Sequence, residues 1–268
     1  GKSCLISIPR DKLKSSAMLK KLSFWNTVSR ILFLLLTPAF FRWFNFAFIW
    51  HSIYWGVVSI VVMTWLGFIL ISPLFGRIGC GWFCFLGTTQ DLPFGYGIFK
   101  QKKRKPIIWL RLLMPLGFLV TSFTFFFIRK NGGEISGFRY DPGFFSTELN
   151  SHYQHIWIYD TIGALILGLM LEKRWACKNL CTMGSFAAIG STWSRLIPVV
   201  DTEACSLCTR CESVCLVNIP LREYADVKNG LVTSSECILC GRCVDACRKD
   251  AIKISFVWNR RRHRKQLA

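Results

Sequence analysis

Cysteine is the residue whose number and spacing in this sequence point to chemistry. The chain of 268 residues contains 13 cysteines. Eight of them form two C-x2-C-x2-C-x3-C runs: CSLCTRCESVC (Cys205, Cys208, Cys211 and Cys215) and CILCGRCVDAC (Cys237, Cys240, Cys243 and Cys247). Disulfides would be the default in a short secreted protein. This spacing is instead typical of metal-cluster ligation, which implies reducing surroundings for this part of the chain.

A second cysteine motif occurs twice, each time at the end of an apolar segment. GCGWFCFLG carries Cys80 and Cys84, and WACKNLCTMG carries Cys177 and Cys181 at the same spacing. Thiols at i and i+4 on a helix share one face, so two pairs brought together would offer four thiolates to one site. Three interpretations are open: a shared third [4Fe-4S] cluster, redox-active dithiols, which an intact helix would strain, or packing cysteines. The recurrence of the motif favours the shared cluster.

The two longer runs resemble those of the bacterial-type ferredoxin domain. In that domain three thiolates of a run wrap one cluster and the fourth cysteine ligates the other. The resemblance assigns one [4Fe-4S] cluster to Cys205, Cys208, Cys211 and Cys247, and another to Cys237, Cys240, Cys243 and Cys215. The family run usually ends in Cys-Pro, whereas Leu216 and Arg248 follow here; ligation does not need the proline. Zinc is the alternative, but a tetrahedral zinc site would leave ligands of each run unused.

The elements that must position these cysteines are apolar. Four segments approach the ~20 residues that a bilayer crossing requires, and we predict spans over about 24–46, 54–75, 107–128 and 156–171. Each cysteine pair follows the second span of a hairpin, so the hairpins are expected to be parallel repeats around an axis along the membrane normal. The predicted fold is an α-helical membrane protein with four transmembrane helices, plus a small α+β two-cluster ferredoxin domain.

Charge gives the predicted topology. The chain carries a formal net charge of +19 and is 52% hydrophobic, which is typical of a membrane protein with cationic cytoplasmic loops. Lysine and arginine cluster before the first span and, from Arg77 onward, after the second. The positive-inside rule therefore places both termini and the clusters on the cytoplasmic side of the cell membrane. Nucleic acid is the weaker partner for such a chain, because no basic helix or stacking platform lies outside the apolar segments.

Four parts of the chain follow from these patterns. We predict a basic cytoplasmic N-terminus over 1–23, a membrane domain over 24–198, the ferredoxin domain over 199–256 and a basic tail over 257–268. No signal-peptide cleavage site follows the first apolar segment, which we expect to be a retained anchor. Four residues are expected to form an aromatic belt at the outer interface, next to a snorkelling Arg42: Trp43, Trp50, Tyr54 and Trp55.

Haem is not expected. The sequence has no C-x2-C-H motif and only four histidines, His51, His152, His155 and His263. The first three fall on the predicted outer side, so no pair spans the membrane to hold a b-type haem. They could hydrogen-bond a quinone there, although solvated interface residues are the simpler interpretation.

The chain resembles one protein family over nearly its whole length from residue 24. The resemblance rests on the four predicted spans, the two C-x3-C pairs and the ferredoxin domain taken together. The family is the membrane polyferredoxin group that includes the quinol dehydrogenase subunit NapH, the ferredoxin MauN and the core of NosR. In that family the pairs read C-x3-C-P, where Phe85 and Thr182 stand here.

The resemblance implies quinol oxidation, with electrons passed to redox partner subunits. Two alternatives are an electron-donating maturation factor for a metalloenzyme and transfer in the reverse direction, from ferredoxin to quinone.

Overall fold

The computed structural model describes residues 21–44, 47–95, 106–134, 137–141, 156–226 and 230–258. Its helices are α1 (Leu22–Phe44), α2 (Ala47–Tyr54), α3 (Ile60–Phe75), α4 (Ile78–Trp82), α5 (Phe85–Gly95), α6 (Ile108–Asn131), α7 (Ile156–Met170), α8 (Trp175–Asn179), α9 (Thr182–Ser191), α10 (Arg210–Ser213), α11 (Leu221–Asp226) and α12 (Arg242–Ala246). Its strands are β1 (Val57–Val58), β2 (Arg139–Tyr140), β3 (Leu196–Val200) and β4 (Ile252–Phe256). Outside the described residues, or with side chains outside them, lie most of the predicted basic N-terminus and tail, together with Arg42, Trp43, His152, His155 and His263.

The first hairpin departs from the prediction in its second arm. The predicted span over 54–75 is divided, because α2 ends at Tyr54, β1 follows, and α3 begins only at Ile60. The chain turns at Gly56, whose φ of +62° is left-handed and is adopted readily by glycine. A continuous span from residue 54 is therefore wrong, since an apolar run does not reveal a glycine turn inside it.

Two of the described helices are long and apolar enough to cross a bilayer, α1 over Leu22–Ala39 and α6 over Ile108–Asn131. The apolar helices α3 and α7 have 16 and 15 residues. At 1.5 Å per residue they are shorter than a hydrocarbon core of about 30 Å, so four transmembrane helices stay a prediction. All four helices nevertheless expose large apolar side chains, among them Leu35, Leu70, Leu116 and Met170.

The helices that follow the cysteine pairs interlock the two hairpins. Helix α5, after the first pair, packs against α7 of the second hairpin, and α9, after the second pair, packs against α3 of the first. Glycine permits both approaches. A Cβ on Gly168 would lie 3.1 Å from the Gln90 Cγ, and one on Gly190 would lie 1.8 Å from the Ser72 Oγ. This exchange of helices holds both cysteine motifs at one end of the fold.

At the other end of α3, aromatic side chains pack around a cation. The Arg129 guanidinium lies 4.4 Å from the ring centroid of Tyr54 and 4.0 Å from that of Trp55. Trp50 stacks on Tyr54 with centroids 5.5 Å apart, and β1 pairs in parallel with β2 beside them. Tyr54 and Trp55 of the predicted outer aromatic belt thus join both hairpins through cation–π contacts, with Trp50 stacked beside them. Their depth in a membrane stays a prediction.

The ferredoxin domain is closed by one antiparallel pair of strands. Strand β3 pairs with β4 along its whole length, with Leu196 opposite Phe256, so the first and last elements of the domain adjoin. Strand β3 crosses the predicted boundary at residue 198. The domain has an apolar core that includes Val232, Ile238 and Cys215. Six more of the domain's cysteines pack against this core.

Candidate iron–sulfur sites

The two long cysteine runs have the same backbone shape. Three residues within or just after each run have positive φ: Leu207, Thr209 and Asn218 for the first, and Leu239, Gly241 and Asp250 for the second. Each lies 32 residues from its counterpart, as the cysteines of the runs do. A left-handed conformation costs a residue with a side chain about 1–2 kcal/mol. Repetition of that cost at equivalent positions indicates loops shaped around a bound group.

The four cysteines that the ferredoxin resemblance assigns to the second cluster line one cavity, Cys215, Cys237, Cys240 and Cys243. The rest of its wall is mostly apolar and includes Ile238 and Leu239. Backbone groups point at the sulfurs: the Ile219 N–H donates to the Cys215 Sγ at 3.4 Å, and the Leu239 N–H bonds to Cys237. This donor set, with its N–H···S bonds and apolar wall, fits a cubane cluster.

Thiols in this cavity are crowded and desolvated. Burial raises the pKa of Cys237 to about 12. Burial also raises the pKa of Cys243, and the neighbouring Cys237 and Cys240 add to the shift. Such thiols ionise together only when a cation compensates their charge, as the iron of a cluster does. The chemistry of the site therefore favours a bound metal cluster over free thiols.

The cysteines assigned to the first cluster lie nearer to solvent. Cys208 is exposed, and Cys205, Cys211 and Cys247 are partly buried. Burial, followed by the charge of Glu212, raises the pKa of Cys211 to about 11. Helix α10 packs against α12, which brings the first run alongside the end of the second. The crossed ligand assignment is therefore compatible with the fold.

Neither C-x3-C pair lies on an intact helix, so the predicted helical face shared by each pair is wrong. Cys80 lies in α4 and Cys84 between α4 and α5, while Cys177 lies in α8 and Cys181 between α8 and α9. The second cysteine of each pair caps the following helix. The Gly184 N–H donates to the Cys181 Sγ at 3.3 Å, and a glycine N–H three residues on bonds to Cys84 in the same way. A cap needs a non-helical residue, which breaks the helix within the motif.

The four thiols of the two pairs lie close enough to interact electrostatically. Cys177 interacts electrostatically with Cys84, Cys181 and Cys80, and its Sγ accepts a hydrogen bond from the Gln90 side chain at 3.2 Å. Burial raises the pKa of Cys177, and it raises the pKa of Cys181 to about 12 with added repulsion from Cys84 and Cys80. Four neighbouring thiols, three of which accept N–H···S bonds, form a donor set of the same kind as the ferredoxin sites.

Two buried arginines tie the motifs to each other. Arg77 and Arg174 each stand three residues before the first cysteine of their pair and are 3% and 1% exposed. Arg77 donates to the Cys177 carbonyl at 3.3 Å, and Arg174 donates to the Cys80 carbonyl at 3.0 Å. Each guanidinium also lies against the motif glycine of the other repeat, where a Cβ on Gly87 or Gly184 would approach it to about 3 Å.

Each of these arginines shares a buried carboxylate with a second arginine. Asp91 bonds to Arg174 at 2.6 Å and also to Arg30 of α1. Glu236 bonds to Arg77 at 2.9 Å and also to Arg111 of α6. Burial alone would lower the pKa of Arg77, but Cys80 and Glu236 outweigh it, so its pKa is raised. Both repeats therefore place a permanent positive charge beside the four thiols.

Sequence reasoning missed these charges. The charge pattern indicates Arg77 only as a basic residue of the loop after the second predicted span, and it indicates no role for Arg174. Both are instead buried in ion pairs, Arg77 with Glu236, 159 residues away. The sequence did contain a usable signal, because the repeated motif extends to R-x2-C-x3-C-x2-G in both hairpins.

Comparison with known proteins supports iron–sulfur clusters as the groups that the cysteines bind. Residues 58–106, which include the first C-x3-C pair, match the family described as a 4Fe-4S binding domain. Residues 204–252 match the 4Fe-4S dicluster domain. The ferredoxin-type protein NapH of Escherichia coli is 33% identical over 97 residues, and that of Haemophilus influenzae is 36% identical over 92. Parts of the chain are thus similar to ferredoxin-type proteins of the NapH kind.

Relatives differ in how much of their length this chain spans. The match to NapH of E. coli covers 34% of this chain and 32% of NapH. An uncharacterized protein of Methanocaldococcus jannaschii matches 94% of the chain and 99% of its own length at 27% identity. YccM of E. coli, whose name places it in electron transport, matches 72% of the chain and 54% of its own length at 25% identity. No solved structure matches the chain.

These matches define the function at a coarse level. The protein is an iron–sulfur electron-transfer protein with ferredoxin-type 4Fe-4S domains. The dicluster match favours [4Fe-4S] clusters over zinc in the two long runs. The resemblance to NapH-type polyferredoxins that the cysteine patterns indicated is borne out by these matches.

Proposed function

We propose that this protein carries single electrons between the membrane quinone pool and a partner redox enzyme, as a quinol dehydrogenase-type subunit. The observation that carries the proposal is the junction of two parts of one chain. A two-cluster ferredoxin domain is fastened by buried ion pairs to the end of a helical domain whose long helices expose apolar side chains. Large apolar side chains exposed along helices in this way are expected to face lipid.

A third [4Fe-4S] cluster is part of the proposal. Cys80, Cys84, Cys177 and Cys181 would hold it, and it would supply a one-electron carrier between the helical domain and the ferredoxin domain. The convergence of the four thiols, their N–H···S bonds and the two buried guanidinium groups support this assignment. Positive charge beside the site would stabilise a cluster whose four thiolates leave it with net negative charge.

We further propose that the chain crosses the cytoplasmic membrane four times, with its clusters on the cytoplasmic side. Helices α3 and α7 would cross with the short segments that adjoin them, since they are shorter than α1 and α6. A quinone would approach through the lipid. The outer end, where His51 lies near the stacked Trp50 and Tyr54 rings, is one place where it could bind.

Reduction by a quinol tests the proposal. Purified protein in lipid nanodiscs would be mixed anaerobically with a menaquinol or ubiquinol analogue, and cluster reduction followed by electron paramagnetic resonance. We expect the reduced-cluster signal to appear, and Cys80→Ser to abolish its appearance with quinol while dithionite still reduces the two ferredoxin-domain clusters. Failure of both quinols to reduce the loaded wild-type protein would contradict the proposed quinol oxidation.

The same preparation separates the two alternative functions. In the reverse direction, reduced ferredoxin would reduce the clusters, and added quinone would then reoxidise them. A maturation factor would show neither reaction with quinones and would instead bind a metalloenzyme client. Either result would replace quinol oxidation as the function of the chain.

A further inference from the structure

The two ferredoxin-domain runs have opposite surroundings. In the first run, Leu207 and Cys208 are exposed. In the second, the equivalent Leu239 is 4% exposed, and the loop around it lies against the helical domain. This difference in burial indicates which of the two cluster sites lies near the four-cysteine site.

Residues of the helical domain form hydrogen bonds and ion pairs with several residues in and next to the second run. The Ser191 hydroxyl donates to the Ser235 carbonyl at 3.0 Å, and Arg77 and Arg111 hold Glu236, the residue before Cys237. Further along, the α1 backbone at Ser23 donates to the Asp245 carboxylate at 2.7 Å.

The closest approach joins the first C-x3-C motif directly to the second run. Gly81, next to Cys80, lies so near Ile238 that a Cβ on it would stand 2.0 Å from the Ile238 carbonyl oxygen. Beside it, the Trp82 indole N–H donates to the Leu239 carbonyl at 3.1 Å. Cys80 itself packs against the ferredoxin core, alongside Cys237 and Cys240. A backbone contact thus connects the residue after Cys80 with the residue after Cys237.

We propose that the four-cysteine site exchanges electrons directly with the second cluster (Cys215, Cys237, Cys240 and Cys243), and that the first cluster is the solvent-side terminus. The order rests on the proposed third cluster. In each transfer one cluster loses one electron and its neighbour gains one, with no bond formed or broken. At the membrane end one quinol is oxidised to quinone, releases two protons to water and supplies two electrons one at a time. A soluble or peripheral redox protein accepts these electrons at the first cluster, or the whole sequence runs in reverse.

Magnetic coupling between reduced clusters tests this order. Two full-length variants would be reduced with dithionite in nanodiscs, one lacking the first cluster (Cys205→Ser with Cys208→Ser) and one lacking the second (Cys237→Ser with Cys240→Ser). We expect spin–spin splitting of the remaining signals to persist in the first variant and to be lost in the second. Splitting that persists only in the second variant would overturn the order.

A pair of glycine variants tests the contact without removing any ligand. Gly81→Ala must push α4 away from the second run, whereas Gly67→Ala in α3 meets no atom within 4 Å. We expect the membrane-site contribution to the splitting to be reduced several-fold in Gly81→Ala and unchanged in Gly67→Ala. Equal splitting in both would overturn the proposed contact, and this comparison decides the matter if a ligand variant fails to fold.

The wild-type iron content distinguishes failure of the order from failure of the third cluster. About twelve iron atoms per chain, with coupling in the wrong variant, would contradict only the order. About eight would show that the four-cysteine site holds no cluster, and both proposals would fall.

Discussion

The two cysteine runs of the ferredoxin domain have the same spacing and the same left-handed residues, yet they differ in what surrounds them. The first run has Ala204 before its first cysteine and exposes Leu207 and Cys208 to solvent. The second has Glu236 at the equivalent position, held by two arginines of the helical domain. The two runs therefore share their ligand spacing, while the neighbouring residues determine which run lies against the helical domain. The proposed order of electron transfer rests on that second difference.

The largest expected effect concerns the ion pair that distinguishes the runs. Glu236→Gln leaves the buried Arg77 and Arg111 without their carboxylate, and breaking a buried pair in this way costs about 3–5 kcal/mol. We expect the free energy of unfolding, followed by loss of cluster absorbance in denaturant, to fall by that amount. The matched control is Glu203→Gln at an exposed position just before the first run, where a change within about 0.5 kcal/mol is expected. Equal effects would remove the distinction between the runs.

Replacing the leucine at equivalent positions of the two runs is expected to give smaller effects, which have opposite signs in the two runs. Leu207 and Leu239 have φ of 51° and 53°, so glycine relieves about 1 kcal/mol of backbone strain at either position. Leu239 is buried, however, and its loss costs about 2–5 kcal/mol. We expect Leu239→Gly to lower the midpoint temperature of cluster loss and Leu207→Gly to raise it slightly. A stabilising Leu239→Gly would contradict the packing of the second run.

The smallest effect concerns the residues that follow the two runs. Asn218 donates to the buried Glu172 at 2.6 Å, whereas Asp250 is exposed. A hydrogen bond to a charged group contributes about 1.5–3 kcal/mol, and glycine recovers part of it through relief of the left-handed backbone. We expect Asn218→Gly to cost about 1 kcal/mol, with Asp250→Gly within about 0.5 kcal/mol of wild type, in the same denaturant titration.

Much of the ligand chemistry could be predicted from the sequence, because cysteine spacing is a local property. The repeat of the C-x3-C motif predicted that two distant pairs meet, and the structure brings their thiols together. The helix break inside each motif was missed, since an apolar stretch does not show that Cys84 and Cys181 cap the next helix. The buried charges were missed for a different reason. The sequence around Arg77 does not show whether its guanidinium faces water or pairs with a distant carboxylate, as it does with Glu236, 159 residues away.

The central claim is that Cys80, Cys84, Cys177 and Cys181 hold a third cluster, and iron quantitation with Mössbauer spectroscopy tests it most directly. Anaerobically purified protein is expected to contain about twelve iron atoms per chain, all in [4Fe-4S] clusters. The double variant Cys80→Ser with Cys181→Ser is expected to contain about eight and to keep both ferredoxin-domain clusters. About eight iron atoms in the wild-type protein, unchanged in the double variant, would contradict the account.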